Sequence, residues 1–64
     1  MLREPDHLLT VAETAERLRQ SQETVRRKIR EGVIPAIRLG AGPRAPLRVD
    51  DQELRAWLYA REAT

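Results

Sequence analysis

The chain has 64 residues, a length that fits one small domain with a modest core, and its formal net charge is only +2. It contains no Cys, which excludes disulfides and thiolate metal sites, and its single His7 cannot form a metal site without several carboxylates. No apolar run approaches membrane-spanning length and no signal peptide is recognised. We therefore expect a cytoplasmic domain without a cofactor, a metal or a membrane partner.

The positive charge is concentrated in one part of the chain. Residues 24–48 hold seven basic residues and one acidic residue, a net charge of +6, whereas the rest of the chain carries −4. Eleven of the twelve basic residues are Arg, whose planar guanidinium forms paired hydrogen bonds with phosphate and guanine. A basic run is often only a solvated face, but this asymmetry favours a surface that binds a polyanion.

The first predicted helix begins after Thr10. Thr10 and Glu13 occupy the two positions of a capping box, in which each side chain bonds the backbone N–H of the other residue. Val11, Ala15 and Leu18 then recur on one helical face, which predicts that this face is buried. The helix is expected to end near Leu18.

A second, strongly basic helix is predicted between Ser21 and Gly32. Ser21 is a typical N-cap, and Gly32 suits the left-handed conformation that often follows a helix. Val25 and Ile29 give this helix a narrow apolar stripe, and its opposite side is cationic. Only residues 19 and 20 connect the first helix to the Ser21 cap. So short a connection forces the two helices to cross steeply, which indicates a helix-turn-helix; a plain helical hairpin is the alternative.

Beyond Pro35, which ends helical structure, alternating apolar and polar residues over 37–49 predict a two-stranded hairpin. Arg38 and Arg48 are expected to face outward together. The loop between the strands is rich in Gly and Pro and carries one charge, Arg44, so it either connects the strands or displays a guanidinium. The residues expected to face the core are Ile37, Leu39, Leu47 and Val49.

A third helix is predicted to begin at Asp50. Asp50 and Glu53 fit a second capping box, which together with the helix dipole explains the carboxylates at this end. No nucleophile or second carboxylate group accompanies them, so we expect no catalytic site. Leu54, Trp57 and Leu58 form the apolar face, and Trp57 is expected to be the largest core anchor rather than a stacking platform.

In the order of these features, residues 8–58 resemble the excisionase-type, MerR-like winged helix-turn-helix family. The resemblance implies a mainly α fold with three helices and a small two-stranded wing, in a DNA-binding domain over residues 8–62. Residues 1–7 are then a flexible lead-in. The segments that carry the resemblance are LLTVAETAERL at 8–18, S-x-x-T-V at 21–25, IREG-x-IP at 29–35, IRLG at 37–40 and LRVDDQELRAWL at 47–58.

The resemblance also implies that the second helix enters the major groove and that the wing reaches the adjacent minor groove or backbone. In the major groove, Gln pairs with adenine, Arg with guanine, and Glu accepts from cytosine, although Glu23 is slightly better placed to orient Arg27. The expected base contacts are Gln22, Glu23, Arg26 and Arg27; the expected backbone contacts are Thr24, Lys28, Arg30, Arg38 and Arg48; the expected minor-groove contact is Arg44.

Three functions are compatible with these assignments. The first is an architectural factor of the excisionase kind, which bends DNA for a tyrosine-type integrase and binds repeated sites side by side. The second is a small transcription regulator, with no small-molecule effector because the segments that sense ligands in larger MerR regulators are not found. The third is a protein-binding adaptor such as an antitoxin. An enzyme is not expected, and the nucleoid is the expected location.

Overall fold

The computed structural model describes residues 7–62, which form three helices and a three-stranded antiparallel sheet. This architecture confirms the predicted mainly α, winged helix-turn-helix fold class. Apart from His7, the predicted lead-in lies outside the described residues. In chain order the elements are β1 (Leu8–Leu9), α1 (Val11–Leu18), α2 (Gln22–Arg30), β2 (Ile37–Arg38), β3 (Leu47–Asp50) and α3 (Asp51–Glu62).

Helix α1 starts and ends as its local sequence dictates. The Thr10 N–H donates to Oε1 of Glu13 at 2.9 Å, and the Glu13 N–H donates to Oγ1 of Thr10 at 3.0 Å, so the predicted capping box is confirmed. Arg19 ends the helix in a left-handed conformation with φ of 54°. The N–H of Gln20 donates to the carbonyl of Ala15 at 3.0 Å, as in a Schellman motif. The turn therefore closes without a Gly.

Helix α2 is also defined by its caps. Oγ of Ser21 accepts from the Thr24 N–H at 3.1 Å, and Gly32 adopts the predicted left-handed conformation with φ of 78°. The apolar stripe turns inward, because Val25 is fully buried and Ile29 is partly buried. Capping at both ends holds a short helix that carries few apolar residues of its own.

Replacing the N-cap of α2 is expected to lower the free energy of unfolding. Ser21→Ala removes the acceptor for the Thr24 N–H and is expected to cost about 1 kcal/mol, whereas Ser21→Gly costs only a few tenths. Urea denaturation of both variants followed by circular dichroism measures the difference. Equal losses for the two variants would contradict this role for the hydroxyl.

The sheet has one strand more than the predicted wing. Strand β3 lies between β1 and β2, and β1 pairs with it antiparallel through the Leu9–Val49 and Leu8–Asp50 pairs. The short β1 was not predicted as a strand, because two apolar residues show no alternation. It ties the start of the domain to the last strand of the hairpin.

The register of β2 against β3 corrects one prediction about the hairpin. Ile37 is paired with Arg48, and Arg38 is paired with Leu47. Directly paired residues in an antiparallel sheet project from the same face, and successive residues alternate. Arg38 and Arg48 therefore project from opposite faces of the hairpin, and the prediction that they face outward together was wrong.

The centre of the core is filled by Ile34, Leu54, Val25 and Val49, each at most 1% exposed. Ile34 comes from the irregular segment after α2, and its N–H donates to the carbonyl of Lys28 at 3.3 Å. The sequence pattern did not identify this residue as a core position. Its burial fixes the C-terminal end of α2 against the rest of the domain.

Two side chains expected in the core are exposed instead. Ile37 is 41% exposed and Leu39 is 37% exposed, whereas Val49 is buried as predicted. Strand β2 has two residues and lies at the edge of the sheet, where its main neighbour is β3. Alternation correctly indicated a strand, but it could not show that the helices pack mainly against β1 and β3 rather than against β2.

Trp57 is not the largest core anchor, contrary to expectation. It packs against the core while only partly buried, and the Arg61 guanidinium carbon lies 4.9 Å from its ring centroid. Large aromatic side chains are rarely fully buried, and a core this small is filled by the aliphatic chains of Ile34 and Leu54. Trp57 therefore covers one margin of the core.

The carboxylates at the start of α3 have structural partners. Oδ1 of Asp50 accepts from the N–H groups of Gln52 and Glu53 at 2.9 and 3.2 Å, which confirms it as a cap. Within residues 7–62 the Glu53 side chain makes no return bond, so the second capping box is only half formed; Asp50 is also the last residue of β3. The neighbouring Asp51 pairs with Arg17 at 2.6 Å, joining α3 to α1.

Candidate nucleic-acid interface

The outward side of α2 is a continuous polar and cationic surface. With 3.6 residues per turn, the buried Val25 and Ile29 define the inner side, and Arg27 lies opposite them. Arg26 and Arg30 lie on the side that faces the hairpin. The exposed residues of this surface are Gln22, Glu23, Arg26, Arg27 and Arg30.

The guanidinium groups of this surface are not neutralised by the domain itself. Within residues 7–62, no carboxylate lies within 4.0 Å of the charged groups of Arg26, Arg27 or Arg30. The acidic side chains that do form ion pairs there are Asp50 and Asp51, which lie where β3 meets α3. The positive charge of α2 is therefore available to an external anion.

An open groove runs between α2 and the hairpin. Its lining includes apolar side chains such as Ile29 and Leu47, and among residues 7–62 no acidic side chain lines it. Five Arg side chains from four different parts of the chain border it. They are Arg26 and Arg30 of α2, Arg38 of β2, Arg44 of the loop and Arg48 of β3.

The start of α1 forms another wall of this groove. Thr10, Val11 and Ala12 line it together with the end of the hairpin, although more than thirty positions separate them in sequence. These residues were not predicted to lie at the interface. Thr is one of the common residues at helix starts, and as a cap it carries no local signal that would mark a binding surface.

Several of the predicted backbone contacts have hydrogen-bond partners inside the protein. Nζ of Lys28 donates to Oε1 of Gln20 at 3.1 Å, which joins α2 to the interhelical turn. Oγ1 of Thr24 accepts from the Ser21 hydroxyl at 2.8 Å. Nη1 of Arg48 donates to the adjacent Leu47 carbonyl at 2.9 Å, and its side chain is partly buried. These groups contribute to the shape of the surface as well as to its charge.

The side chains expected to touch bases are less constrained. Nη2 of Arg26 lies 3.5 Å from Oε1 of Gln22, a long contact between neighbours one turn apart. The expected pairing of Glu23 with Arg27 is absent from residues 7–62, where no ion pair joins them. Exposed side chains of this kind can adjust when a ligand approaches, because few internal bonds must be broken.

Two features define the class of protein. Helices α1 and α2 form a helix-turn-helix whose second helix is cationic and exposed, and the hairpin beside it forms a wing. The sequence profile of a family described as "Helix-turn-helix domain" matches residues 8–62. The chain belongs to this excisionase-like family, which confirms the resemblance seen in the sequence. Membership supports DNA binding by this domain. No curated protein and no solved structure gives a significant match to the chain.

Within the described residues 7–62, the helices offer no membrane span and the His, Asp and Glu side chains offer no metal site. None of the three helices combines the length and apolar character needed to cross a bilayer. No group of three or more His, Asp or Glu side chains is arranged to hold a metal ion. The candidate functional site is the basic surface around α2.

Proposed function

We propose that the protein binds double-stranded DNA sequence-specifically, with α2 in the major groove and the wing at the adjacent minor groove or backbone. The observation that carries this proposal is the row of exposed guanidinium groups on α2, which no carboxylate of residues 7–62 neutralises. A helix of this width fits the major groove of B-form DNA. Desolvated contacts between Arg and guanine or phosphate then supply specificity and affinity.

The position of each side chain on α2 assigns its proposed role. Arg27 and Glu23 point away from the buried stripe and reach deepest into the groove, while Gln22 and Arg26 contact bases nearer the wing. Arg30 contacts the phosphate backbone where it enters the groove beside the wing. The remaining proposed backbone contacts are Thr24, Lys28 and Arg48, and the proposed minor-groove contact is Arg44.

A pair of single substitutions separates base contacts from backbone contacts. Arg27→Ala is expected to cost about 1–3 kcal/mol and to relax the base preference at one position. Arg30→Ala should weaken binding to all duplexes alike and reduce the salt slope by about one unit. Fluorescence anisotropy with a set of single-base variants of a selected duplex, at several salt concentrations, measures both. Equal, sequence-independent losses for both variants would overturn the assignment.

We further propose that the protein acts as an architectural factor of the excisionase kind and works with an integrase or recombinase. A module of this size buries a small interface, so one copy is expected to bind modestly. Several copies side by side on repeated sites raise occupancy through their effective concentration. This function needs no cofactor, catalytic group or small-molecule effector, and it places the protein on the nucleoid in the cytoplasm.

Binding selection from random duplexes, followed by footprinting, tests this role. Repeated sites in helical phase, together with DNA bending measured by energy transfer between the duplex ends, are the expected result. A single unbent site near a promoter would favour a small transcription regulator. Failure to shift any duplex would reject DNA binding and favour a protein-binding adaptor or antitoxin, with the basic surface docked on an acidic partner.

A further inference from the structure

The tip of the wing is closed by two bonds that converge on one carbonyl group. The carbonyl oxygen of Gly42 accepts from Nη1 of Arg38 at 3.0 Å and from the N–H of Ala45 at 3.3 Å. The second bond closes a four-residue turn, in which Pro43 takes the position that suits its fixed φ. Arg44 is the third residue of this turn, and its side chain is exposed.

Little else holds this turn against the strands. Below it, the Leu39 N–H donates to the Pro46 carbonyl at 2.8 Å, which is the last backbone bond of the hairpin before the tip. Gly40 and Gly42 adopt φ values of 125° and 101°, which only Gly adopts readily. Gly also loses more conformational entropy on folding than any other residue, so ordering this segment is costly. The Arg38 side chain bridges this weakly held segment, from strand β2 to the turn.

We propose that Arg38 is a positioning residue that holds the wing tip in the conformation in which Arg44 meets the DNA. Nη1 of its guanidinium is engaged by the Gly42 carbonyl. In this role Arg38 acts on DNA through Arg44 rather than as an independent phosphate contact. This replaces the role given to it by the sequence, and it rests on the proposed function, in which Arg44 contacts DNA. Ordering the tip before binding lowers the entropic cost of immobilising it on the duplex.

The wing itself can be tested without DNA. Arg38→Ala is expected to speed hydrogen exchange of the Ala45 amide and to raise the mobility of the Arg44 amide on the nanosecond timescale, measured by ¹⁵N relaxation. Arg44→Ala should leave the exchange of the Ala45 amide close to that of the unmodified protein. Unchanged exchange and relaxation in Arg38→Ala would overturn the proposal directly, whatever the protein binds.

A double-mutant cycle tests the consequence for binding. With a selected duplex, Arg44→Ala is expected to weaken binding roughly tenfold, and Arg38→Ala nearly as much. The Arg38→Ala/Arg44→Ala double variant should bind the duplex no more weakly than Arg44→Ala alone. In each of the three variants the salt slope should fall by the same amount, about one unit. If the two losses of affinity multiply in the double variant and its salt slope falls by about two units, Arg38 makes an independent phosphate contact and the proposal is overturned.

Arg30→Ala is the matched control for this cycle. Arg30 borders the same groove and is exposed. The loss of affinity caused by Arg30→Ala should therefore multiply with the loss caused by Arg44→Ala when the two are combined. If the unmodified protein binds no duplex, the proposed function and this inference fail together. If the protein binds but the effects of Arg38 and Arg44 multiply, only the inference fails.

Discussion

Replacing Arg26, Arg27 and Arg30 together by Gln is expected to weaken duplex binding by at least about 100-fold, since each contact contributes about 1–3 kcal/mol and each tenfold change about 1.4 kcal/mol. All three side chains are exposed on one surface, and none is paired with a carboxylate of residues 7–62. Fluorescence anisotropy at constant ionic strength, with a duplex from binding selection, measures the loss. The preference for that duplex over a scrambled one should disappear as well.

A control variant with the same change in net charge tests whether position or total charge decides the result. Arg17, Arg55 and Arg61 lie on α1 and α3, away from the groove, and contact Asp51 or Trp57. Replacing these three by Gln removes ion pairs and a ring contact at the surface, which contribute little to stability. Binding should then fall by no more than a few-fold. A loss as large as that of the α2 variant would reject the assignment of the interface to α2.

Ile34→Ala is expected to have the largest effect on stability. The side chain is 1% exposed at the centre of the core. Removing so much of a buried aliphatic side chain costs about 2–5 kcal/mol, while a domain of this length is stable by roughly 3–10 kcal/mol in total. The variant should therefore unfold in part near room temperature. Thermal and urea denaturation monitored by circular dichroism measure the loss.

The neighbouring Val33 provides the matched control for this prediction. Its side chain is 38% exposed, so Val33→Ala should change the free energy of unfolding by less than about 1 kcal/mol. Because the Ile34 N–H donates to the carbonyl of Lys28 in the last turn of α2, loss of the Ile34 side chain should also loosen the C-terminal end of α2 and weaken DNA binding. Similar denaturation midpoints for the two variants would show that the core is not centred on Ile34.

The parts of the fold that were predicted correctly depend on residues close together in sequence. A capping box spans four residues, so Thr10 and Glu13 mark the start of α1 without help from distant residues. Ser21 and Gly32 mark the two ends of α2 for the same reason. The cationic side of α2 was also predictable, because helical periodicity alone places its Arg residues opposite Val25.

The features that were missed depend on how distant segments meet. Ile34 lies in a segment without periodicity, so only the assembled helices and sheet reveal its burial. Ile37 alternates like a half-buried strand residue, yet β2 lies at the sheet edge and leaves it exposed. Trp57 was expected at the centre because of its size, but a small core is filled more closely by aliphatic side chains.

The arrangement of the wing was the least predictable part of the candidate site. Whether Arg38 and Arg48 share a face depends on strand register, which an eight-residue loop with two left-handed Gly residues does not specify. The bond from Arg38 to the Gly42 carbonyl depends on the same loop conformation. Residue type alone indicated a cation at position 38 and could not indicate its hydrogen-bond partner.

A titration of the ¹⁵N-labelled protein with a selected duplex, followed by amide chemical shifts, tests the central claim most directly. If α2 enters the major groove, the largest shift changes will fall on residues 22–30 and at Arg44, with small changes along α3. Large changes confined to α3, with the α2 amides unmoved, would contradict the claim and place the binding surface on the opposite side of the domain.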